Sequence, residues 1–275
     1  MLYGTKRIEK LSMLKAKDIL QSNKKERAQK IKAEAKKLTA PTTLGKLITP
    51  YKYGFAMRQF TEDYININIE LDKNLMRGSV LKKENLEIAL KARIEDYLVG
   101  AMKQTSAERV SIADMIAKPT NAYEMSGASE LAFANRVTRN LSTTMGNLWE
   151  KLADISPYAI NPDLEFGIKI RGIDLIAKNM QNNSVEFIQL KTTKNTLSGS
   201  QSGRANDELL LHPNPVFAAA FDVNQNWTYK NDENIIRICG KEFWARIGMD
   251  YDLVFQIVTN TIRQLEDEFV KALAK

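Results

Sequence analysis

The sequence predicts an α/β fold in which a mixed central sheet is flanked by helices and preceded by a helical N-terminal region. Helix-forming stretches come first, the hydrophobic period changes to two residues after Pro157, and an amphipathic stretch closes the chain. The chain has 275 residues, of which 44% are hydrophobic, and this is enough to bury a substantial core. We expect a helical N-terminal region over 1–140 and a region that carries the sheet over 141–275.

The N-terminal region is predicted to contain two helices and one short strand. Residues from Lys6 to Leu38 are rich in Lys, Ala, Glu and Leu and include no Gly or Pro, so we expect a helix there. The alternating isoleucines from Ile65 to Ile69 predict a strand. Another helix is expected from about Lys82 to Lys103, because apolar residues recur there at helical spacing.

The second region is predicted to form the sheet. A helix that carries Glu150 should end before Pro157, because the residue before a proline disfavours the helical conformation. One strand is expected from Ile168 to Ile176 and the next from Val185 to Lys191. Further elements are expected as follows: a polar turn over Asn179–Asn183, a polar loop over Thr192–Asn206, strands over Pro215–Val223 and Asn234–Cys239, and a closing helix over Leu253–Ala274.

The rarest residues exclude several kinds of site. The chain has one histidine, His212, and one cysteine, Cys239, which excludes a zinc site of Cys and His ligands and any mechanism that needs two histidines. Hydrolytic chemistry would have to use carboxylates, lysine and a hard metal ion held by oxygen ligands. His212 lies beside Pro213, and we expect it to be a hydrogen-bonding residue of a loop.

Cysteine usage and hydropathy indicate the compartment. A single cysteine cannot form an internal disulfide, which suits a reducing cytoplasm. No apolar run approaches the ~20 residues that span a bilayer, and no signal peptide precedes the lysine-rich start. We therefore expect a cytoplasmic protein that does not interact with membranes.

Positive charge is concentrated at the N-terminus. The formal net charge is +7, and residues 1–46 hold 13 Lys and Arg against 4 Asp and Glu. A basic arm on a nearly neutral body favours a polyanionic partner such as nucleic acid. A solvated, lysine-faced helix is the alternative interpretation of the same pattern.

Polar residues interrupt the two central strands. Asp174 lies within the otherwise apolar stretch Gly172–Ile176, where a charged side chain is costly unless it is paired or bound to a metal. On the next strand, Gln189 and Lys191 share one face, because successive side chains of a strand alternate between faces. Asp174 and Lys191 could also form a buried cross-strand ion pair with no chemical role.

The chain resembles the PD-(D/E)xK nuclease superfamily in this part of its sequence. The resemblance rests on Asp174, Gln189 and Lys191, together with Glu150 upstream on a helix. In that superfamily a core strand supplies Asp, and its neighbour supplies Asp, Glu or Gln two residues before Lys. Gly146-x-Leu-x-Glu150 and the segment Gly240–Trp244 are similar to Type II restriction endonucleases that cut RGGNCCY-type sites. The resemblance covers roughly residues 142–270 and implies a restriction-endonuclease-like fold with a catalytic domain over 141–275.

The resemblance implies a sequence-specific, Mg²⁺-dependent endonuclease that cuts both strands of DNA and leaves 5′-phosphate and 3′-hydroxyl ends. Asp174, Glu150 and the Leu190 carbonyl would hold Mg²⁺, and the Gln189 amide oxygen could ligate it or accept a hydrogen bond. Lys191 would orient the attacking water and stabilise negative charge. Gln189 departs from the usual acid before the lysine, which weakens metal affinity unless Glu150 supplies the missing charge.

The polar loop after Lys191 is the predicted DNA-reading segment, because its hydroxyls, amides and cations suit base edges and phosphates. An ordinary surface loop is the alternative. The predicted DNA contacts are Thr192, Thr193, Lys194, Asn195, Ser198, Gln201, Arg204 and Asn206.

Several partners follow from the same resemblance. The basic N-terminal helix would bind phosphates or serve as a dimerisation arm. Cutting a palindromic site on both strands calls for a homodimer. A cognate DNA methyltransferase is expected in the same prokaryotic restriction-modification system, without a stable complex. Two alternative functions remain open: a structure-specific repair or recombination nuclease, and a DNA-binding protein without catalysis.

Overall fold

The computed structural model describes residues 14–75, 78–107, 114, 117–197, 199–223, 226–230 and 232–273. The helices are α1 (Ala16–Leu20), α2 (Lys24–Lys37), α3 (Ile48–Lys73), α4 (Lys83–Ala107), α5 (Ala122–Met125), α6 (Ser129–Ala153), α7 (Pro162–Phe166), α8 (Gly199–Leu209), α9 (Lys241–Arg246) and α10 (Tyr251–Leu273), with a short 3₁₀ helix over Thr42–Leu47. The strands are β1 (Ala159–Ile160), β2 (Leu175–Lys178), β3 (Val185–Lys191), β4 (Pro215–Ala219) and β5 (Ile236–Cys239).

The five strands form one mixed sheet in the order β1-β2-β3-β4-β5. Strands β1, β2 and β3 pair antiparallel, whereas β3, β4 and β5 pair parallel. In this register Ile176 lies opposite Phe187, and Ile188 lies opposite both Leu175 and Val216. The prediction of an α/β fold with a mixed sheet between helices is confirmed.

A hydrophobic core covers each face of the sheet, because β3 buries alternate side chains on opposite sides. The first core joins α1, α2 and α3 to one face and includes Ile31, Phe60, Tyr64, Ile176, Phe187 and Phe217. The second core joins α4, α6, α9 and α10 to the other face and includes Leu90, Trp149, Leu175, Ile188, Val216, Trp244 and Val254.

The expected boundary at residue 140 falls within helix α6, which runs from Ser129 to Ala153. Both cores also combine side chains from before and after that position. The N-terminal helices therefore complete the covering of the sheet. None of the helices that the structure describes is both long and apolar enough to cross a membrane.

Several elements differ from the sequence prediction. Ile65 and Ile69 lie in helix α3, where positions four residues apart share a face, so the predicted strand is wrong. The predicted helix over Lys6–Leu38 is broken between α1 and α2, and residues 1–13 lie outside the described ranges. The predicted polar loop over Thr192–Asn206 contains the start of α8, whose Ala205 and Leu209 are buried in the first core.

Other predicted elements are confirmed with shifted ends. The helices expected near Lys82–Lys103 and Leu253–Ala274 correspond to α4 and α10. Strand β2 begins only at Leu175, so Asp174 precedes it, and β4 ends at Ala219. Strand β2 therefore begins later, and β4 ends earlier, than the apolar pattern of the sequence predicts.

The side chain of His212 is buried and makes no hydrogen bond with any described residue, which contradicts the expectation of a hydrogen-bonding loop residue. The residue is 5% exposed, and its ring stacks on Phe187, with centroids 4.9 Å apart and planes at 8°. Neither ring nitrogen has a partner among the described residues. Helix α3 approaches closely, since a Cβ on Gly54 would lie 2.2 Å from Cε1 of His212. Burial, with a smaller contribution from Arg58, lowers the pKa of His212 to about 3.

We expect His212 to destabilise the fold progressively as the pH falls. Its pKa is about 3 in the folded chain, against an ordinary value of 6.5 for histidine. The unfolded chain therefore binds the extra proton below pH 6.5, and the stability contributed by neutral His212 is present above that pH and lost below it. Relative to His212→Phe, the wild-type free energy of unfolding should fall by about 1.4 kcal/mol per pH unit between pH 6 and 4. Urea unfolding at each pH measures this difference, and parallel curves for the two proteins would contradict it.

Candidate active site

Helix α6 fixes the position of Glu150 through the buried side chains around it. Leu148, Trp149 and Leu152 are each 1% exposed or less and pack in the second core. The indole N–H of Trp149 donates to Thr192 Oγ1 at 3.1 Å, which ties this turn of α6 to the end of β3. Glu150 lies between these anchors and is partly buried. The position of the Glu150 carboxylate therefore depends on how α6 packs, as well as on the hydrogen bonds that the carboxylate makes.

Asp174 is tied to β3 by two hydrogen bonds. Its N–H donates to the Ile188 carbonyl at 2.9 Å, and its Oδ2 accepts from the Leu190 N–H at 2.8 Å. The amide and carbonyl of one strand residue point to the same edge of the strand. The Leu190 carbonyl should therefore face the edge at which the Asp174 carboxylate lies.

Gln189 and Lys191 share the face of β3 that carries Phe187, whereas Ile188 and Leu190 face the second core. The Lys191 ammonium lies 3.9 Å from Asp174 Oδ2, which is the long limit of an ion pair. Gln189 is 9% exposed, and its Oε1 has no hydrogen-bond partner among the described residues. A buried carbonyl oxygen without a partner is costly, so this atom is available to a ligand.

The carboxylates of Glu150 and Asp174 line one cavity of about 290 Å³ between α6, α7 and the start of β2. Lys151 and Lys169, which are exposed, line the same cavity. The complete lining is Asn147, Glu150, Lys151, Asn161, Asp163, Leu164, Ile168, Lys169, Ile170, Ile173 and Asp174. The site thus combines two partly buried acidic side chains with exposed lysines.

Negative charge in this cavity is only partly compensated. Burial, together with the charge of Asp174, raises the pKa of Glu150 to about 7, although Asn161, Lys191 and Lys169 act in the opposite direction. Burial also raises the pKa of Asp174, against the opposing effects of Lys191 and the Leu190 N–H. Two neighbouring carboxylates that resist ionisation would both be stabilised by a cation.

The donor atoms fit a hard cation only if uncharged oxygens take part. Within the described ranges, no three side chains of His, Cys, Asp or Glu form a group that could hold a metal ion. The cavity offers two carboxylates, and the adjoining end of β3 carries the unpartnered Oε1 of Gln189 and the Leu190 carbonyl. Mg²⁺ accepts such oxygen ligands and usually keeps several waters, so this set is compatible with it.

The first predicted DNA contacts follow directly after β3 and make contacts within the chain. Thr192 accepts the indole N–H described above, and Thr193 Oγ1 donates to Asn195 Oδ1 at 2.7 Å. Lys194 donates to Asp222 Oδ1 at 2.6 Å, and its side chain is 15% exposed. Lys194 would have to exchange this ion pair for a phosphate or a base.

The remaining predicted DNA contacts belong to α8 or lie next to it. Arg204 donates from Nε to Glu208 Oε1 at 2.8 Å, yet its side chain is 65% exposed. Asn206 donates to a backbone carbonyl of the segment after β4 at 3.1 Å, so it supports local structure. Gln201 is exposed on α8, and Ser198 lies outside the described residues.

The segment Gly240–Trp244 packs between β5 and the helices of the second core. Phe243 and Trp244 are fully buried, and the Trp244 indole N–H donates to the Ala220 carbonyl at 2.8 Å. Gly240 has a φ of +51°, and a Cβ there would lie 2.8 Å from Asp222 Cβ. These residues therefore support the sheet from the side opposite the first core.

Among the cavity residues that the sequence did not identify, two act directly on the carboxylates. Asn161 donates from Nδ2 to Glu150 Oε2 at 2.9 Å, and Lys169 contributes positive charge to both carboxylates. The dipeptide Asn161-Pro162 is a typical helix start, with Asn at the N-cap and Pro at the first helical position. That signal predicts the N-terminus of α7 but does not reveal the contact with Glu150.

Comparison of the chain with protein-family models, curated proteins and solved structures finds no match. The chemistry of the cavity must therefore be inferred from its own geometry.

We expect Gly172→Ala to destabilise the loop that leads into Asp174. Gly172 has a φ of +80°, and a Cβ there would lie 2.5 Å from Glu208 Cβ. The left-handed conformation alone costs a residue with a side chain about 1–2 kcal/mol, and the steric overlap adds to this. Urea unfolding should show a lower midpoint for the variant.

Gly146→Ala is the matched control, because a Cβ there meets nothing within 4 Å and the residue lies inside α6. Helix propensity predicts that this change raises stability by about 0.5–1 kcal/mol. Equal effects of the two substitutions would contradict the close approach of Gly172 to Glu208.

Proposed function

We propose that this chain is a Mg²⁺-dependent, sequence-specific endonuclease of double-stranded DNA, of the Type II restriction kind. The juxtaposition of Asp174 with Lys191, and of both with Glu150, which lines one cavity with Asp174, carries this proposal. Gln189 lies on the same face of β3 as Lys191. The mixed five-stranded sheet between helices is compatible with a restriction-endonuclease-like fold. The products would be 5′-phosphate and 3′-hydroxyl ends.

Four oxygen donors would hold the metal. Asp174 and Glu150 supply charged oxygens, Gln189 supplies its unpartnered Oε1, and Leu190 supplies its carbonyl. When bound, Mg²⁺ would supply positive charge against the phosphoryl oxygens, where negative charge develops during hydrolysis. Asp174 is held ready for this role by the Leu190 N–H, which fixes the orientation of its carboxylate.

Lys191 would act on the attacking water and on the phosphate. Its ammonium is close enough to Asp174 to be held in the site, but its side chain is still 25% exposed. A lysine in this position orients water by donating a hydrogen bond and stabilises negative charge on the phosphate. Gln189 is uncharged, so Glu150 would supply the charge that an acid supplies at this position in related nucleases.

Two positively charged surfaces would contact the DNA backbone. Lys151 and Lys169 line the cavity and could pair with phosphates beside the cleaved bond. Helix α2 presents an exposed stripe of three lysines, defined by Lys25, Lys32 and Lys36, whose spacing places them on one face of the helix. Sequence reading would involve the segment after β3, in which Gln201 and Arg204 are exposed.

The proposed activity carries further expectations about partners. Cutting both strands of a palindromic site requires two active sites related by a two-fold axis, so we propose a homodimer. Host DNA would need protection by a cognate methyltransferase that forms no stable complex with this chain. We propose that the protein acts in the cytoplasm of a prokaryote.

Incubation with unmethylated phage DNA and Mg²⁺ should yield discrete fragments that disappear with EDTA. Asp174→Asn removes the charge yet can still accept the Leu190 N–H, so we expect a folded protein that cleaves at least about 100-fold more slowly. Glu70→Gln is the matched control, because Glu70 lies on α3, pairs with Lys73 and is 67% exposed. Gel analysis of the fragments and their ends measures both rates and the recognition site.

The alternative functions give different results in the same experiment. A band shift without cleavage at any metal concentration would contradict the enzyme and favour a DNA-binding protein, which the neutral Gln189 would suit. Cleavage of branched or flapped DNA alone would favour a repair or recombination nuclease.

Replacing the three stripe lysines, Lys25, Lys32 and Lys36, by Gln should weaken DNA binding most at low salt. Each phosphate contact that is lost lowers the slope of log Kd against log salt by about 0.9. Loss of all three contacts should therefore lower this slope by about 2–3. Fluorescence anisotropy of labelled DNA in EDTA measures the slope without cleavage. The control replaces Lys73, Lys91 and Lys271, which are similarly exposed but each paired with a glutamate of their own helix. Equal slopes for the two triple variants would show that net charge, rather than the stripe, determines binding.

A further inference from the structure

Asn161 lines the cavity, and both the oxygen and the nitrogen of its side-chain amide make hydrogen bonds. It is 3% exposed and lies between β1 and α7. Its Oδ1 accepts the N–H groups of Asp163 and Leu164 at 2.9 and 3.0 Å, so it caps α7. Its Nδ2 donates to Glu150 Oε2 at 2.9 Å. Because the oxygen is engaged by the helix, the amide nitrogen must face Glu150.

The backbone of Asn161 is fixed as well. Its N–H donates to Asp154 Oδ1 at 2.8 Å, and Asp154 directly follows the end of α6. Two contacts therefore connect the N-terminus of α7 to the C-terminal turn of α6, one through Asp154 and one through Glu150. Helix α7 is in turn held to α2, where Arg27 pairs with Glu165. The contacts of Asn161 with Asp154, Asp163 and Leu164 hold it in place independently of Glu150.

We propose that Asn161 is a positioning residue that holds the Glu150 carboxylate in the orientation needed to bind a divalent cation together with Asp174. The inference rests on the proposed function, because it assigns a purpose to the contact only if the cavity binds a metal. Residues that hydrogen-bond to a metal-ligating side chain orient it, and their loss usually lowers metal affinity 10- to 100-fold. Asn161 has the geometry for that role, since one of its donors is aimed at one oxygen of Glu150.

Asn161→Ser separates positioning from capping. Serine caps a helix about as well as asparagine, but its short side chain has no amide to reach Glu150. We expect the thermal midpoint to change little, and the affinity for Mn²⁺, measured by titration calorimetry without DNA, to fall about 10- to 100-fold. Plasmid cleavage should slow at low Mn²⁺ and recover as Mn²⁺ is raised, whereas DNA affinity in EDTA should be unchanged.

Asn121→Ser is the matched control. Asn121 caps α5 by accepting the N–H groups two and three residues ahead, as Asn161 does, but it does not line the cavity. We expect this variant to bind Mn²⁺ and cleave DNA like the wild type.

The outcomes separate the two proposals. If the wild type cleaves DNA and Asn161→Ser binds Mn²⁺ equally well, the positioning role is wrong and the proposed function stands. The positioning role is also wrong if Asn161→Ser cleaves DNA slowly and excess Mn²⁺ does not restore its rate of cleavage. If the wild type neither binds Mn²⁺ nor cleaves DNA, the proposed function fails and the role of Asn161 fails with it.

Discussion

Strand β3 is paired along both edges and covered on both faces, and the rest of the molecule is arranged around it. Its neighbours β2 and β4 satisfy its backbone groups, while the two cores take up Phe187, Ile188 and Leu190. Polar side chains on such a strand are costly. Gln189 and Lys191 are found at its C-terminal end, where β2 begins and where Asp174 meets the Leu190 N–H. The polar residues of the candidate site are therefore concentrated at the end of β3 that approaches solvent.

Three separate elements bring their functional groups to that point, and each is anchored by packing of its own. Glu150 is set by the buried turn of α6, Asp174 by its backbone contacts with β3, and Asn161 by the N-terminus of α7. Anchored elements hold the geometry of a site before a ligand binds, which the proposed metal binding and hydrolysis would require. The N-terminal helices contribute indirectly, because Arg27 of α2 pairs with Glu165 of α7.

Buried polar groups elsewhere in the chain show what distinguishes this cavity. Arg246 lies in the interior but pairs with Glu186 at 2.6 Å and with Glu242 at 2.9 Å, so its charge is compensated within the fold. His212 avoids the cost of a buried charge by remaining neutral, since burial lowers its pKa. In the cavity, by contrast, two carboxylates have raised pKa values, and the adjoining strand β3 carries a glutamine whose Oε1 has no partner among the described residues. Two such carboxylates would be stabilised by an added cation.

By itself, the sequence determined the α/β class, the long helices α4 and α10, and the shared face of Gln189 and Lys191, because these follow from hydrophobic period over many residues. Over five residues the period is ambiguous, and Ile65–Ile69 therefore gave a false strand, since residues four apart also share a helical face. Tertiary packing decided α8, a Ser- and Gly-containing segment whose helix buries Ala205 and Leu209. It also decided the contact of Asn161 with Glu150, because the distance between side chains on different elements depends on how those elements pack and not on local pattern.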